Sequence, residues 1–295
     1  MSSTASPDVV GVAGKVALVT GGGAGIGRAI AELYAQAGMR VAVVEIDPAR
    51  AADVQAALGP DALVVTGDVR IEADVRRTIE AVKARFARLD VLVNNVGDFL
   101  QIRCEFSDST DDEWERLYAI NLLHVFRVTR AAIPLMKASG GGSIISISTV
   151  EAFRGIPLCV AYSAFNAGIT GFTQSLSVEL GRYGIRVNAI APETTDTAQI
   201  VADSRVPPEN RERIELWFPL RRFGRAADTA GSALFLASER LSGWMTGSTL
   251  TVDGGVMAAG AWMRMPQAKG WTHLPMIEGD GYTPRPDKRQ GTPRG

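Results

Sequence analysis

The chain has 295 residues, 46% hydrophobic and 21% charged, a composition that excludes intrinsic disorder and collagen-like repeats. Lys and Arg total 31 against 32 Asp and Glu, which leaves no basic footprint for nucleic acid or an anionic membrane surface. No apolar run reaches the ~18 residues of a membrane helix. Cys104 and Cys159 are too few for a disulfide framework or a zinc site and read as small core or surface residues.

Residues 1–14 form an N-terminal extension with neither a basic nor an apolar signal region, so a cytoplasmic location is expected. Short β-branched runs then alternate with amphipathic stretches. The runs are 16–20, 41–45, 63–66, 91–94, 143–148, 186–190 and 249–252; between them lie helical patterns at 26–37, 73–86, 112–136 and 161–180. In the last of these, Phe165, Ile169, Phe172, Leu176 and Leu180 make one buried stripe. The alternation predicts βαβ units and a mostly parallel seven-stranded sheet with helices on both faces. One domain, 15–255, carries this pattern. Residues 256–295 differ, with six Lys/Arg against three Asp/Glu, four methionines, Trp262 and Trp271. Such apolar content predicts a tail that packs on the body or on a neighbouring subunit rather than a solvated linker.

The first strand ends in Thr20-Gly21-Gly22-Gly23-Ala24-Gly25-Ile26-Gly27 and runs into a helix. Glycines let the backbone approach a ligand closely, and a helix N-terminus offers free N–H groups to phosphate. The spacing is Gly21-x-x-x-Gly25-x-Gly27, not the general GxGxxG. Glu45 ends the second strand, where a carboxylate can accept from the adenosine ribose hydroxyls and repel a 2′-phosphate, so the expected cofactor is NAD.

That glycine spacing, Asn94-Asn95-Val96-Gly97, Tyr162 on a helix after a Ser/Thr-ended strand, and Thr251-Val252-Asp253-Gly254-Gly255 together resemble the short-chain dehydrogenase/reductase family. The resemblance covers about residues 15–255 and implies a single Rossmann-type, doubly wound α/β domain. It implies Tyr162 as general acid/base in hydride transfer between a secondary alcohol or ketone and the nicotinamide. It makes Thr149, thirteen residues earlier, the hydroxyl that orients the substrate, with adjacent Ser148 as the fallback. Asn121 matches the Asn that holds a proton-relay water, its alternative being a buried amide satisfied by backbone. Asn95, Gly97, Pro192, Thr195 and Thr197 match cofactor contacts, and Asp68-Val69 the adenine contact, with turn capping as the alternative for Asp68. Homodimers or homotetramers through the 112–136 and 161–180 helices are also implied.

Two positions depart from the family. Asn166 stands where a Lys should follow Tyr162 by four residues, on the same helix face. An amide can still hydrogen-bond the nicotinamide ribose, but it lacks the charge that lowers the Tyr pKa from about 10. Arg103, Arg154 or a tail residue is a candidate replacement cation. Glu193 replaces the usual Gly after Pro192. Three readings follow: an NAD-dependent oxidoreductase on a secondary alcohol or ketone; a non-redox lyase or epimerase on the same fold; or a low-turnover NAD-binding partner or sensor. Phe99, Leu100, Ile102 and Phe106 are expected at the substrate mouth. A lid spans 197–222, in which Ile214, Leu216, Trp217 and Phe218 suggest a largely apolar small-molecule substrate, while Arg211, Arg213, Arg221 and Arg222 could meet a carboxylate. His124 and His273 show no metal spacing.

Overall fold

The computed structural model describes residues 8–197, 200–201, 211, 213–260, 263–264 and 271–272. Seven strands form one parallel sheet: β1 (Val16–Thr20), β2 (Arg40–Glu45), β3 (Leu63–Thr66), β4 (Val91–Asn94), β5 (Gly142–Ile147), β6 (Ile185–Pro192) and the strand Thr249–Val252. Two short strands, β7 (Thr195–Asp196) and β8 (Gly224–Arg225), pair beside it, so Thr249–Val252 is β9. The order in the large sheet is β3-β2-β1-β4-β5-β6-β9. The chain therefore reverses direction between β1 and β4, and ligands of open α/β sheets bind beyond the strand ends at such a reversal.

Every residue of β1 is buried because both sheet faces are covered. Alternate side chains point to opposite faces. Val16 and Leu18 join a core with Val75, Ile79 and Val82 of α3 (Glu72–Phe86) and Val128 and Leu135 of a later helix. Ala17 and Val19 join a second core with Ile30 and Tyr34 of α1 (Gly25–Gln36) and with Ala230, Ala233 and Leu236. The fully buried Tyr34 hydroxyl donates to the Ala233 carbonyl at 2.9 Å. The remaining helices are α2 (Pro48–Leu58), α4 (Asp111–Tyr118), α5 (His124–Ala138), α6 (Val160–Leu180), α7 (Ile214–Trp217), α8 (Ala226–Ala237), α9 (Glu239–Ser242) and α10 (Val256–Ala259).

The single helix expected over 112–136 is interrupted. Between α4 and α5, Ala119–Leu123 is a π-helical segment. The chain groups into two units, Met1–Ala202 with Gly224–Asp253, and Asp203–Phe223 with Gly254–Gly295. The expected lid thus falls largely in the same unit as the tail. Within that second unit β10 (Met263–Arg264) and β11 (Trp271–Thr272) pair antiparallel. The Arg221 guanidinium pairs with Glu215 there, so this lid arginine already has a carboxylate partner. Trp262, Met265, His273 and Pro207-Pro208 lie outside the described residues. Among the described residues no helix is long and apolar enough to cross a membrane.

Candidate active site

The glycine turn opens directly from β1. Gly21 and Gly25 have φ of +62° and +56°, a left-handed backbone that side chains disfavour. At Gly27 the constraint is space, since a Cβ would stand 2.3 Å from the Gly21 carbonyl oxygen and 2.4 Å from Asn95 Nδ2. Ala24 places no side-chain cap on α1, so the N–H groups of Gly25, Ile26 and Gly27 remain open to an anion. Asn95 ties β4 to this turn: its N–H donates to Thr20 Oγ1 at 2.9 Å, and its Nδ2 reaches the Thr20 and Gly21 carbonyls at 3.1 and 3.2 Å.

Glu45 is only 4% exposed. Its Oε2 accepts from Gly23 N–H at 3.0 Å and its Oε1 from Asp47 N–H at 3.1 Å, so it braces the turn that it borders. Asp68 acts as a turn cap, accepting from Arg70 N–H at 2.9 Å and pairing with the Arg70 guanidinium at 2.8 Å. The Val69 side chain is in the core. Gly97 lies beside Asn121, to whose Oδ1 an added Cβ would come within 3.4 Å. Pro192 ends β6 and is buried. Thr195 donates to the Glu193 carbonyl at 2.8 Å, and Thr197 Oγ1 accepts from Ile200 N–H at 3.2 Å.

Tyr162 sits in the first turn of α6, and the Thr149 hydroxyl at the end of β5 reaches its phenol. The neighbouring Ser148 hydroxyl instead donates to the Asn166 carbonyl at 3.2 Å. Of the two hydroxyls, Thr149 is the one aimed at the tyrosine. Asn121 is satisfied by backbone: Nδ2 donates to Leu117 and Asp98 carbonyls at 2.9 and 2.8 Å, and Oδ1 accepts from Asp98 N–H at 3.1 Å. These bonds place the Asn121 amide against the backbone where the π-segment begins and across to Asp98.

Asn166 is 4% exposed and its Nδ2 donates to the Tyr162 carbonyl at 3.0 Å. It therefore supplies the phenol with no charge. Burial, chiefly, pushes the Tyr162 phenol up to about 12; the Thr149 hydrogen bond opposes this, while Glu151 and Asp98 add to it. Neither arginine named as a replacement cation reaches the phenol among its described interactions. Arg154 stands between two carboxylates, 2.8 Å from Glu151 Oε1 and 2.6 Å from Glu193 Oε2. Arg103 lies over the Phe99 ring, 4.9 Å from its centroid. The residue that replaces glycine at 193 is thus neutralised by Arg154, and its other oxygen accepts from Thr194 N–H at 2.8 Å.

Tyr162 closes one side of a small, partly open cavity of about 20 Å³, room for about one water. Its walls include Ile102, Phe106, Trp114, Leu117, Leu158 and Val160. Phe106 and Trp114 stack with ring centroids 5.3 Å apart. Of the four residues expected at the substrate mouth, Ile102 and Phe106 line this cavity and Phe99 and Leu100 do not. Trp114 and Leu117 were not foreseen, although a Thr110–Glu113 capping box announces the start of α4 and their i,i+3 spacing marks one face. Glu151 and Asp98 were missed as well, since nothing local signals that their charges converge on Tyr162. Among the described residues no group of three His, Cys, Asp or Glu side chains is placed to hold a metal.

Residues 21–257 match the family model described as enoyl-(acyl carrier protein) reductase. An uncharacterized oxidoreductase of Thermotoga maritima is 34% identical, over 83% of this chain and 98% of its own. The levodione reductase of Leifsonia aquatica is 32% identical over 88% of this chain and 100% of its own. A solved structure of levodione reductase superposes with a TM-score of 0.77 at 32% identity, covering 84% of this chain and 99% of the other.

Proposed function

Since the chain belongs to the short-chain dehydrogenase/reductase family, we propose that it is an NAD-dependent oxidoreductase that interconverts an apolar secondary alcohol and its ketone. The observation that carries this reading is the Tyr162 phenol with its Thr149 partner facing an apolar, aromatic-walled cavity. A relative that is a levodione reductase supports the reductive direction.

The open N–H groups at Gly25, Ile26 and Gly27 and the close approach at Gly27 fit a dinucleotide pyrophosphate. Gly21, Asn95 and Gly97 shape the floor of that cradle, with Pro192, Thr195 and Thr197 on its far side. Glu45 would receive the adenosine ribose and disfavour a 2′-phosphate. Asp68 and Val69 border the adenine through their backbone, and Asn166 with Tyr162 holds the nicotinamide ribose. When bound, the nicotinamide supplies or accepts the hydride.

The protein's own task is the proton. Thr149 hydrogen-bonds the substrate oxygen and aligns it with Tyr162. In reduction, Tyr162 donates its proton to the carbonyl oxygen as charge builds there. A phenol held at about 12 is fully protonated at neutral pH and always ready to donate. Oxidation needs the phenolate, so its rate should climb with pH. Asn121 orders the backbone at Asp98 beside these groups.

The test is purified protein with NADH or NADPH and a panel of cyclic and aliphatic ketones, followed by nicotinamide absorbance. Turnover with NADH that disappears in Tyr162→Phe supports the reading; preference for NADPH would refute the assignment to Glu45. Asn166 specifically favours a second reading, a NAD-binding protein with little turnover, because its amide faces the helix backbone and not the phenol. Tight NAD binding without turnover on any substrate would select it. We further propose a cytoplasmic homodimer or homotetramer built on α4–α6. Val178, 84% exposed on α6, supports an apolar surface there, and light scattering at micromolar concentration tests it.

A further inference from the structure

Two thiols expected to be unrelated meet at the cavity. Cys104 N–H donates to the Leu158 carbonyl at 3.1 Å, and Cys159 follows Leu158. That hydrogen bond and the one peptide link from Leu158 to Cys159 hold the Cys104 and Cys159 Cα atoms within about 7 Å of each other. A disulfide needs Cα atoms roughly 4.4–6.8 Å apart. The Cys159 side chain points to the segment that carries Cys104, its Sγ lying 3.8 Å from the Ile102 carbonyl. Both residues line the same cavity as Tyr162. Cys104 is half-buried and Cys159 nearly buried, so one thiol meets solvent and the other stands behind it.

We propose that Cys104 and Cys159 form a reversible disulfide that locks the substrate mouth, with a low-molecular-weight disulfide such as oxidised glutathione as the oxidant. The Cys104 thiolate attacks one sulfur of the reagent, whose S–S bond breaks and releases one thiol. The Cys159 thiolate then attacks Cys104 Sγ in that mixed disulfide, forming the protein S–S bond and releasing the second thiol. The two protein thiols lose two electrons and two protons; the reagent gains both.

The position decides the consequence. Cys159 immediately precedes α6, three residues before Tyr162. Cys104 immediately precedes the Glu105 cap of the 3₁₀ turn Phe106–Asp108, whose Phe106 is a cavity wall. A bond between them fastens the Ile102–Phe106 wall to the start of the catalytic helix and takes the wall's freedom to part for substrate. Neither residue belongs to the cofactor cradle, so NAD binding should persist. Burial, first, and the nearby carboxylates Glu113 and Asp108 raise the Cys104 thiol above its ordinary range. For Cys159 burial and Glu151 outweigh the opposing Arg103. Oxidation is accordingly slow at neutral pH and quickens in mild alkali.

The experiment incubates the full-length protein with oxidised glutathione at mildly alkaline pH, then blocks remaining thiols and digests without reductant. The expected result is a peptide pair joined through Cys104 and Cys159 and a thiol titre that falls from two to none, both reversed by dithiothreitol. Two stable glutathione adducts, or two thiols still free, would overturn the proposal. Activity is the second readout and rests on the oxidoreductase reading: ketone turnover should fall by up to ~100-fold with NADH affinity unchanged. Cys104→Ser and Cys159→Ser should be immune to that loss. If the cross-link forms in a protein with no turnover on any ketone, the reading of function fails and the disulfide stands. Turnover that survives complete cross-linking refutes the lock.

Discussion

Replacing Asn166 by Lys isolates what a single charge does at this site. The Tyr162 phenol lies near 12 against an ordinary 10, a difference of about 2.7 kcal/mol in favour of the protonated form. Asn166 stands one helical turn from Tyr162, with its side chain beside that residue's carbonyl. An ammonium about 5 Å from the phenolate oxygen, at an effective dielectric constant near 20, contributes about 3 kcal/mol. Asn166→Lys should therefore return the phenol to roughly its ordinary value, raising the phenolate population at neutral pH by about 100-fold. The carboxylates of Glu151 and Asp98 nearby offset part of the cost of burying the ammonium, while the lost amide bond costs about 1 kcal/mol. The assay is ultraviolet difference titration against an Asn166→Lys, Tyr162→Phe double variant, which cancels the other four of the five tyrosines. A pH profile of alcohol oxidation accompanies it. Its rising limb should move to lower pH along with the titration. A folded, NAD-binding variant whose phenol titrates where the parent's does would refute the electrostatic account.

Three further outcomes are expected. Gly27→Ala forces a methyl to 2.3 Å from the Gly21 carbonyl oxygen, so calorimetry should show NAD affinity falling at least about tenfold and a melting loss worth ~1–3 kcal/mol. Thr149→Val should lower kcat/KM about 100-fold or more, whereas Ser148→Ala, whose hydroxyl serves only the Asn166 carbonyl, should lose less than about tenfold; equal losses would exchange the two roles. His124 is fully buried, its ring nitrogens lack well-aligned partners, and burial holds it down to about 4 from an unfolded value of 6.5. It is neutral in the fold and charges more readily in the unfolded chain. Its contribution is intact above pH 6.5 and is lost progressively down to about pH 4, ~3 kcal/mol in all. Urea unfolding across that window should show the decline, and His124→Leu should flatten it.

The sequence was most legible where residue pattern and contact are local. β1, β3, β4 and β9 occupy the residues expected, because short runs rich in β-branched residues and bounded by turn residues favour strands. Helix ends moved by one or two residues, as fraying ends do. Periodicity could not show the break in the helix after β4. Asn121 has the right face for a continuous helix, and its bonds to Asp98, remote in sequence, could not be read from periodicity. Thr149 and Ser148 are adjacent, so the chain alone left both available; the turn after β5 sends Thr149 to the Tyr162 phenol and Ser148 to the Asn166 carbonyl of the same helix. Arg154 was named as a stand-in for the missing Lys, but its partner Glu193 is brought to it only by the sheet. Cys104 and Cys159 likewise looked unrelated until the loop after β4 met the start of α6.

The π-helical segment ties the site to arithmetic as well as chemistry. Such a segment is an α-helix with one residue too many, and each residue of a helix turns the chain by about 100°. Were a residue of Ala119–Leu123 deleted, the ladder would close as ordinary α-helix, and α4 and α5 would be rotated against each other by that angle. Leu117 and Trp114 on one side, and Val128 and Leu135 on the other, could not then keep both the cavity wall and the sheet core. Every one of these packing side chains would still be present, but the helix would be in the wrong phase. The pocket wall and the sheet core are therefore held in register by the length of a five-residue stretch, and drift in that length is a barrier that point substitution alone cannot cross.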